Sequence, residues 1–384
     1  MGESSMVSTP PAKIKVFGVG GGGSNAVRRM ARGKLNGVEL YAVNTDAVAL
    51  AYSTTSDDKI TAIQIGAKVT KGMGAGGDPK VGTMAAEESR EELRKSVRDA
   101  DMIFIATGMG GGTGTGATPV VADIAREAGA LTIAIVTRPF TFEGQHRSDQ
   151  AEEGIERLRP VCDTLIAIPN DRLLALCDRR TAADSAFKMA DDILYQGVSA
   201  ISSVITTPGE INLDFADVKS VMKGKGQAWL SIGSANGQNR AVEAAKACVT
   251  SPLLETTMHG ATGVLFTVTA GMDLTLAEVQ EAAQIIRKAA DPSANIIFGI
   301  NYAPEMSNEV RITLIATGFN VKGGPANKQA VEAEIKELRN LLREDQMDIP
   351  AFLRTPIQNR RRDLVSQAQT SQPAQVASKR RPFA

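Results

Sequence analysis

Three groups of residues in this chain have the types and spacing to do chemistry. The densest is Gly108-Met109-Gly110-Gly111-Gly112-Thr113-Gly114-Thr115-Gly116. Glycine lets a ligand approach the main chain closely. Successive free N–H groups at a helix N-terminus bind anions, and the hydroxyls of Thr113 and Thr115 add donors. So little side chain is left to pack that core building does not account for the stretch. Two further runs, Gly18-Val19-Gly20-Gly21-Gly22-Gly23-Ser24-Asn25 and Gly72-Met73-Gly74-Ala75-Gly76-Gly77-Asp78-Pro79, each open a helix and offer the same donors. Three cradles suit a polyphosphate. None closes on Lys-Ser or Lys-Thr, so no lysine is offered to the β- and γ-phosphates as in the commonest phosphate loop.

The second group reads a base. Phe187 and Asp191 are four apart and share a helix face. A ring for stacking beside a carboxylate that accepts two N–H bonds matches the N1–H and N2–H₂ edge of guanine, whereas adenine has no such donor pair there. Asp192 points about 100° away around the helix and fits less well. The third group is Asp214 and Asp217, three apart at a helix start, where both can face the same way and orient water. Capping of that helix is the plainer role for Asp214.

These residues need elements to hold them. Apolar strand patterns at 13–17, 38–43, 59–65, 102–106, 131–136 and 164–168 alternate with helical ones, including 78–97, where Asp78 caps and Pro79 takes the first turn. Alternation of this kind makes a parallel sheet with helices on both faces, and ligands bind beyond the carboxyl ends of its strands. The glycine clusters fall at those ends. Residues 181–206 read as one helix about 39 Å long, with Gly197 its weak point. After it come helix 215–222, strand 228–232, helix 240–248, strand 263–268, helix 276–289 and strands 295–300 and 310–316, a smaller α/β unit packed on the long helix.

The run Gly110-Gly111-Gly112-Thr113-Gly114-Thr115-Gly116 resembles the signature of the tubulin/FtsZ superfamily, and its flanks resemble the bacterial FtsZ cell-division GTPases. The likeness covers about residues 13–319 plus Asp348-Ile349-Pro350-Ala351-Phe352-Leu353-Arg354, with the loops in family order. It implies an α/β protein: a Rossmann-like parallel-sheet GTPase domain, a long central helix and a smaller α/β C-terminal domain. Its ligands would be GTP or GDP with Mg²⁺, no protein residue being assigned to the metal. By resemblance the phosphate contacts are Gly21, Gly22, Gly23, Ser24 and Asn25, then Gly110, Gly111, Gly112, Thr113, Gly114 and Thr115. Ala75, Gly76 and Gly77 sense the γ-phosphate. Asn44 and Asp46 match the second loop, although a capped turn explains them nearly as well. Glu143 would accept sugar hydroxyls, Arg147 would contact the nucleotide, and Asn170 would lie near the ribose or base. Glu210-Ile211-Asn212-Leu213-Asp214-Phe215-Ala216-Asp217 is close to the family's catalytic loop, which makes Asn212, Asp214 and Asp217 catalytic.

The long helix separates those aspartates from the phosphate loops of their own chain. They can orient water only for a neighbour's nucleotide, and head-to-tail contacts that do not close make filaments. The resulting division is a disordered N-terminus (1–12), a GTP-binding domain (13–180), a central helix (181–207), a GTPase-activating domain (208–319) and a linker of helical pattern (320–346). An adaptor-binding peptide (347–354) and a disordered basic tail (355–384) follow. The resemblance assigns the peptide to membrane-adaptor division proteins and places the chain at the division site beneath the membrane.

Composition narrows the alternatives. The chain has 384 residues with 43 Lys+Arg against 43 Asp+Glu, so no bulk charge favours nucleic acid or membrane. Cys162, Cys177 and Cys248 are too scattered for a disulfide framework or zinc site and read as packing residues. No apolar run approaches membrane-spanning length, and no secretory h-region opens the sequence, so the expectation is a cytoplasmic protein. Taken alone, Gly18-x-Gly20-x-x-Gly23 with Asp46 also fits a dinucleotide fingerprint and an NAD-dependent oxidoreductase. That scheme leaves the longer glycine stretch without a role. A nucleotide-gated filament without turnover would leave the aspartate pair without one.

Overall fold

The computed structural model describes residues 12–33, 35, 37–54, 59–174, 183–206, 214–254, 258, 260–303 and 306–319. Asn212, Cys177 and the expectations for residues 1–11 and 320–384 lie outside them. The first half alternates β1 (Ile14–Val19), α1 (Gly20–Arg32), β2 (Val38–Asn44), α2 (Ala47–Thr54), β3 (Ile60–Gln64), α3 (Ala67–Thr70), α4 (Pro79–Glu88) and α5 (Arg90–Val97). It continues with β4 (Met102–Gly108), α6 (Gly112–Glu127), β5 (Leu131–Arg138), α7 (Gln145–Leu158), β6 (Thr164–Pro169) and α8 (Asn170–Leu174). Beyond the long α9 (Ala183–Thr206) come α10 (Phe215–Met222), β7 (Gly226–Asn236), α11 (Arg240–Val249), β8 (Gly263–Ala270), α12 (Leu276–Ala289), β9 (Asn295–Tyr302) and β10 (Glu309–Thr317).

The strands lie in the order β3-β2-β1-β4-β5-β6-β7-β10-β8-β9. From β1 to β6 every pairing is parallel. β7 joins β6 in parallel, from Thr164 beside Gly226 to Ile166 beside Ala228, and pairs antiparallel with β10. The strands of the second half therefore extend the first sheet. The chain leaves β1 towards β2 and β3 on one side and returns to β4 on the other. That reversal opens a crevice beyond the carboxyl ends of β1 and β4, and those ends, Val19 and Gly108, are where the two longest glycine runs sit.

Side chains alternate between two cores. Ile14, Val16, Met102, Phe104, Leu131 and Ile133 pack with α1 and α9, while Phe17, Val19, Ile103, Ile105, Ala134 and Val136 pack with the helices of the opposite face. Burial on both faces is why these strands read as unbroken apolar runs. On α9, Ala190, Ile193, Leu194, Val198 and Ile201 form the buried stripe. A Cβ on Gly197 would stand 3.1 Å from Ile135 Cδ1 and 3.3 Å from Leu230 Cδ2, so the apparent weak point is where the helix packs close against the sheet. Cys162 and Cys248 are buried free thiols.

Two expectations need correction. The helix read over 78–97 is two helices, broken at Ser89, whose hydroxyl accepts the Gly66 N–H at 3.1 Å. The glycine stretch is largely helix, since α6 begins at Gly112, and packing does account for part of it. A Cβ on Gly116 would lie 2.0 Å from Pro79 O, and one on Gly82 would lie 2.3 Å from Gly112 O. α4 and α6 thus cross with backbone against backbone. Gly116→Ala should gain about 1 kcal/mol of helix propensity and lose about 1–3 kcal/mol or more to overpacking. A net loss, read as a lower Tm, is expected; an unchanged or raised Tm would mean that the two helices can part without cost.

Candidate functional site

α1 starts directly after β1, and α6 follows β4 with Met109, Gly110 and Gly111 between; neither helix has a side-chain cap or an acidic residue in its first turn. α4 by contrast is capped by Asp78, whose Oδ1 accepts the Lys80 N–H at 2.8 Å. The flanking loops close on the two uncapped ends. A Cβ on Gly20 would be 2.9 Å from Gly114 N, one on Gly112 would be 2.8 Å from Ala75 Cβ, and one on Gly110 (φ 96°) would be 2.7 Å from Arg147 O. The Thr45 and Thr113 hydroxyls are hydrogen-bonded at 2.7 Å, and Asp46 bridges Met73. Residues 20–25, 44–46, 72–78, 110–115 and 143–147 therefore lie together beyond the carboxyl ends of the strands.

The glycines divide by cause. Gly23, Gly112 and Gly114 sit where a Cβ would strike neighbouring atoms within 3 Å. Gly21 and Gly111 have neither a positive φ nor any atom within 4 Å of a Cβ position. No need of the folded chain explains why they lack side chains. Both front an uncapped helix N-terminus, where N–H groups and helix dipole favour an anion. Space kept open there fits a phosphate. Gly76 and Gly77, with positive φ, face open space too.

In the loop after β5, Glu143 Oε1 accepts the Phe140 N–H at 2.9 Å and Oε2 pairs with Arg147 Nη1 at 2.9 Å. The pair organises its own loop and retains lone pairs for a ligand. Asp46 Oδ1 accepts from Val48 N and Ala49 N, both at 2.9 Å, and Asn44 Oδ1 accepts from Thr45 N at 2.9 Å. These are the contacts of a capped turn. Ser24 Oγ and Asn170 Oδ1 are buried without a hydrogen-bond partner, which costs about 1–3 kcal/mol per group unless a ligand or water supplies one.

At the start of α9, Phe187 is partly exposed and stands edge-on to Phe140 and Phe142, with centroids at 5.3 and 6.3 Å. Those two rings stack on each other at 4.9 Å. Sequence reasoning missed this support, whose one signal was two of the chain's 11 Phe lying two apart just past a strand. It also missed Asp171, which accepts both the N–H and the hydroxyl of Thr141. Asp191 lines a groove of about 580 Å³ between α1 and α9 with Asn25, Arg29 and Phe187. Burial pushes its carboxyl up to about 6; Arg29 opposes that, Asp192 adds to it and Arg28 opposes it. Arg29, also missed, has Nε 3.7 Å from Asp191 and Nη1 on Asp192.

Asp214 and Asp217 are elsewhere. Both are exposed at the start of α10, where Asp214 Oδ1 accepts the Ala216 N–H at 3.3 Å. α10 ends on Met222, whose carbonyl accepts the hydroxyl of Thr164, the first residue of β6. The glycine runs follow the last residues of β1 and β4 in the same parallel sheet. α9 connects the two ends: Phe187 lies beside rings that follow β5, and Thr206 packs on Gly37, just before β2. Its 24 residues span about 36 Å. The aspartates and the cradle thus lie at opposite ends of the sheet. Among the described residues no cluster of three or more His, Cys, Asp or Glu could hold a metal, and no helix is long and apolar enough to cross a membrane.

Two family models match: "Tubulin/FtsZ family, GTPase domain" over residues 13–178 and "FtsZ family, C-terminal domain" over 226–320. A solved FtsZ dimer from M. jannaschii is 44% identical, with 80% of this chain and 88% of that one covered and a TM-score of 0.77. The chain belongs to the tubulin/FtsZ family of GTPases. A mutant FtsZ from the same organism gives 43% identity and a TM-score of 0.78 over 82% and 94% of the chains. CetZ2 from Haloferax volcanii, solved as a GTPγS-bound protofilament, shares the fold at 19% identity and a TM-score of 0.67 over 87% and 99%. The family assignment sets aside the dinucleotide-oxidoreductase alternative, and the FtsZ-type fold of a mostly parallel sheet with N-terminal GTPase and C-terminal domains is the one the sequence implied.

Proposed function

We propose that this chain binds GTP in the cradle between β1 and β4 and hydrolyses it only when a second copy stacks on that face, bringing Asp214, Asp217 and Asn212 to the γ-phosphate. The observation that carries the reading is the separation itself: open glycines at uncapped helix ends sit at one end of the sheet and the aspartates at the other. One chain holds two incomplete halves, and head-to-tail repetition joins them into filaments. The nucleotide face also suits a partner. Val48, Met73, Phe142, Leu174, Met272 and Leu276 are all exposed and each follows the carboxyl end of a strand by fewer than ten residues. Among the solved relatives, the M. jannaschii FtsZ is a dimer and CetZ2 a protofilament. Phosphate release from GTP together with electron microscopy tests the proposal: GTP-dependent filaments with turnover are expected, and filaments without turnover would favour the purely structural alternative.

In the cradle, Gly21, Gly22, Gly23, Ser24 and Asn25 and the stretch from Gly110 to Thr115 would take the phosphates, with Ala75, Gly76 and Gly77 at the terminal one. Glu143, Arg147 and Asn170 would face the ribose, and Phe187 and Asp191 the base, with Asn44 and Asp46 shaping the second loop. Mg²⁺ would ride on the phosphates, a common arrangement for this ion, and neutralise their charge. Outside the described residues, the peptide from Asp348 to Arg354 would engage a membrane adaptor and tether a cytoplasmic division ring. Truncation before Asp348 should then spare filaments and GTPase activity in vitro while abolishing recruitment to the membrane; loss of filaments would contradict that role.

The base contact has a pH signature. Asp191 must be ionised to accept two N–H bonds, so GTP affinity should fall about tenfold from pH 7 to pH 5, as the competent fraction drops. Stability runs the other way. The folded carboxyl sits at about 6, above its unfolded value, so its contribution is full at low pH and lost as pH rises through 6. Asp191→Asn is expected to raise ligand-free stability by about 1–2 kcal/mol at pH 7 while weakening GDP about 10–100-fold. Calorimetry and nucleotide titration check both; unchanged GDP affinity would remove Asp191 from the base site.

A further inference from the structure

The groove beside the base reader holds more charge than one guanine contact needs. Arg28, Arg29 and Arg32 face it from α1, and Lys188, Asp192 and Tyr195 face it from α9, all around the Asp191 carboxylate. Arg28 turns its guanidinium over the Tyr52 ring at 4.8 Å. Arg29 reaches both acids, with Nε 3.7 Å from Asp191 Oδ2 and Nη1 on Asp192 Oδ1. Adjacent helical residues point about 100° apart, so a single planar fork that touches both fixes their relative setting. Two neighbouring carboxylates in a part-buried groove repel, and without a cation one of them takes up a proton. A protonated Asp191 would aim an O–H at the N–H edge of guanine, donor against donor.

We propose that Arg29 is a positioning residue for guanine selectivity, holding Asp191 as an oriented carboxylate and keeping Asp192 occupied on its other nitrogen. This rests on the reading of Asp191 as the base contact. Arg29 need not touch the nucleotide.

The test uses the full chain with GDP and IDP, which differ only in the 2-amino group, titrated from pH 5 to pH 8. The ratio of their affinities reads the contact to that group. In the unmodified chain the GDP preference should fall as pH drops through about 6. Arg29→Gln should move that fall to higher pH and cost about fivefold in preference at pH 6, the size expected on removing one opposite charge from a carboxylate. Arg29→Lys should recover part of the loss. Asp192→Asn, which frees Arg29 and removes a like charge, should move the fall to lower pH, and it keeps the test alive if Arg29→Gln does not fold. Profiles of Arg29→Gln or Asp192→Asn that superimpose on the unmodified chain would overturn the proposal. Asp191→Asn separates the two ideas: if it leaves the preference intact, the base reading itself falls.

Discussion

Gly111→Val is expected to abolish GTP binding while leaving the fold intact. The two effects separate because a Cβ at this position meets no protein atom within 4 Å. The valine Cβ therefore meets no protein atom, and its branches extend into the space before the α6 N-terminus. A phosphate displaced from there loses charge-assisted hydrogen bonds worth about 1.5–3 kcal/mol each, so loss of two lowers affinity by about 10²–10⁴-fold. Gly112→Val provides the contrast. Its Cβ would stand 2.8 Å from Ala75 Cβ and 2.9 Å from Asp78 N, so it should lose stability as well as nucleotide. Titration with GDP beside thermal unfolding distinguishes the variants. Normal binding by Gly111→Val would mean that the phosphates lie elsewhere.

Asp214→Ala should bind GTP normally and turn it over about 10²–10⁴-fold more slowly, the range for a group that positions or deprotonates an attacking water. Affinity is spared because α10 lies at the opposite end of the sheet from the cradle. Loss of the Asp214 cap should cost about 1 kcal/mol of stability, too little to account for such a drop in rate. Mixing Asp214→Ala with Gly111→Val should restore part of the turnover, since the second chain offers intact aspartates to GTP held by the first. Weakened GTP binding by Asp214→Ala alone would place the residue in its own chain's cradle.

Much of this was legible in the sequence because the sheet is buried on both faces. Runs such as Ile103-Phe104-Ile105 and Ile133-Ala134-Ile135-Val136 could be little else. The strand ends were read short, at Phe17 and Ala106, since backbone pairing carries β1 on through Gly18 and Val19 and β4 through Thr107 and Gly108, where glycine and threonine interrupt the apolar runs that mark a strand. The glycines announced a site but not their separate duties. Whether a glycine serves a ligand or a crossing helix depends on what stands opposite, and for Gly116 that is Pro79, distant in sequence. The break at Ser89 was hidden for the same reason, as its partner is Gly66. Arg29, Phe140 and Phe142 join the site only through tertiary contact, and no spacing on their own elements points to Asp191 or Phe187.

The central claim is that one chain holds two halves of a GTPase site that meet only between copies. Its most direct test is GTP turnover per subunit measured across a dilution series that spans the assembly threshold. A rate rising steeply with concentration, from near zero in dilute monomer, is the expected result. A rate per subunit that stays high and flat below the threshold would show that the site is complete within one chain and that Asp214 and Asp217 do not act across an interface.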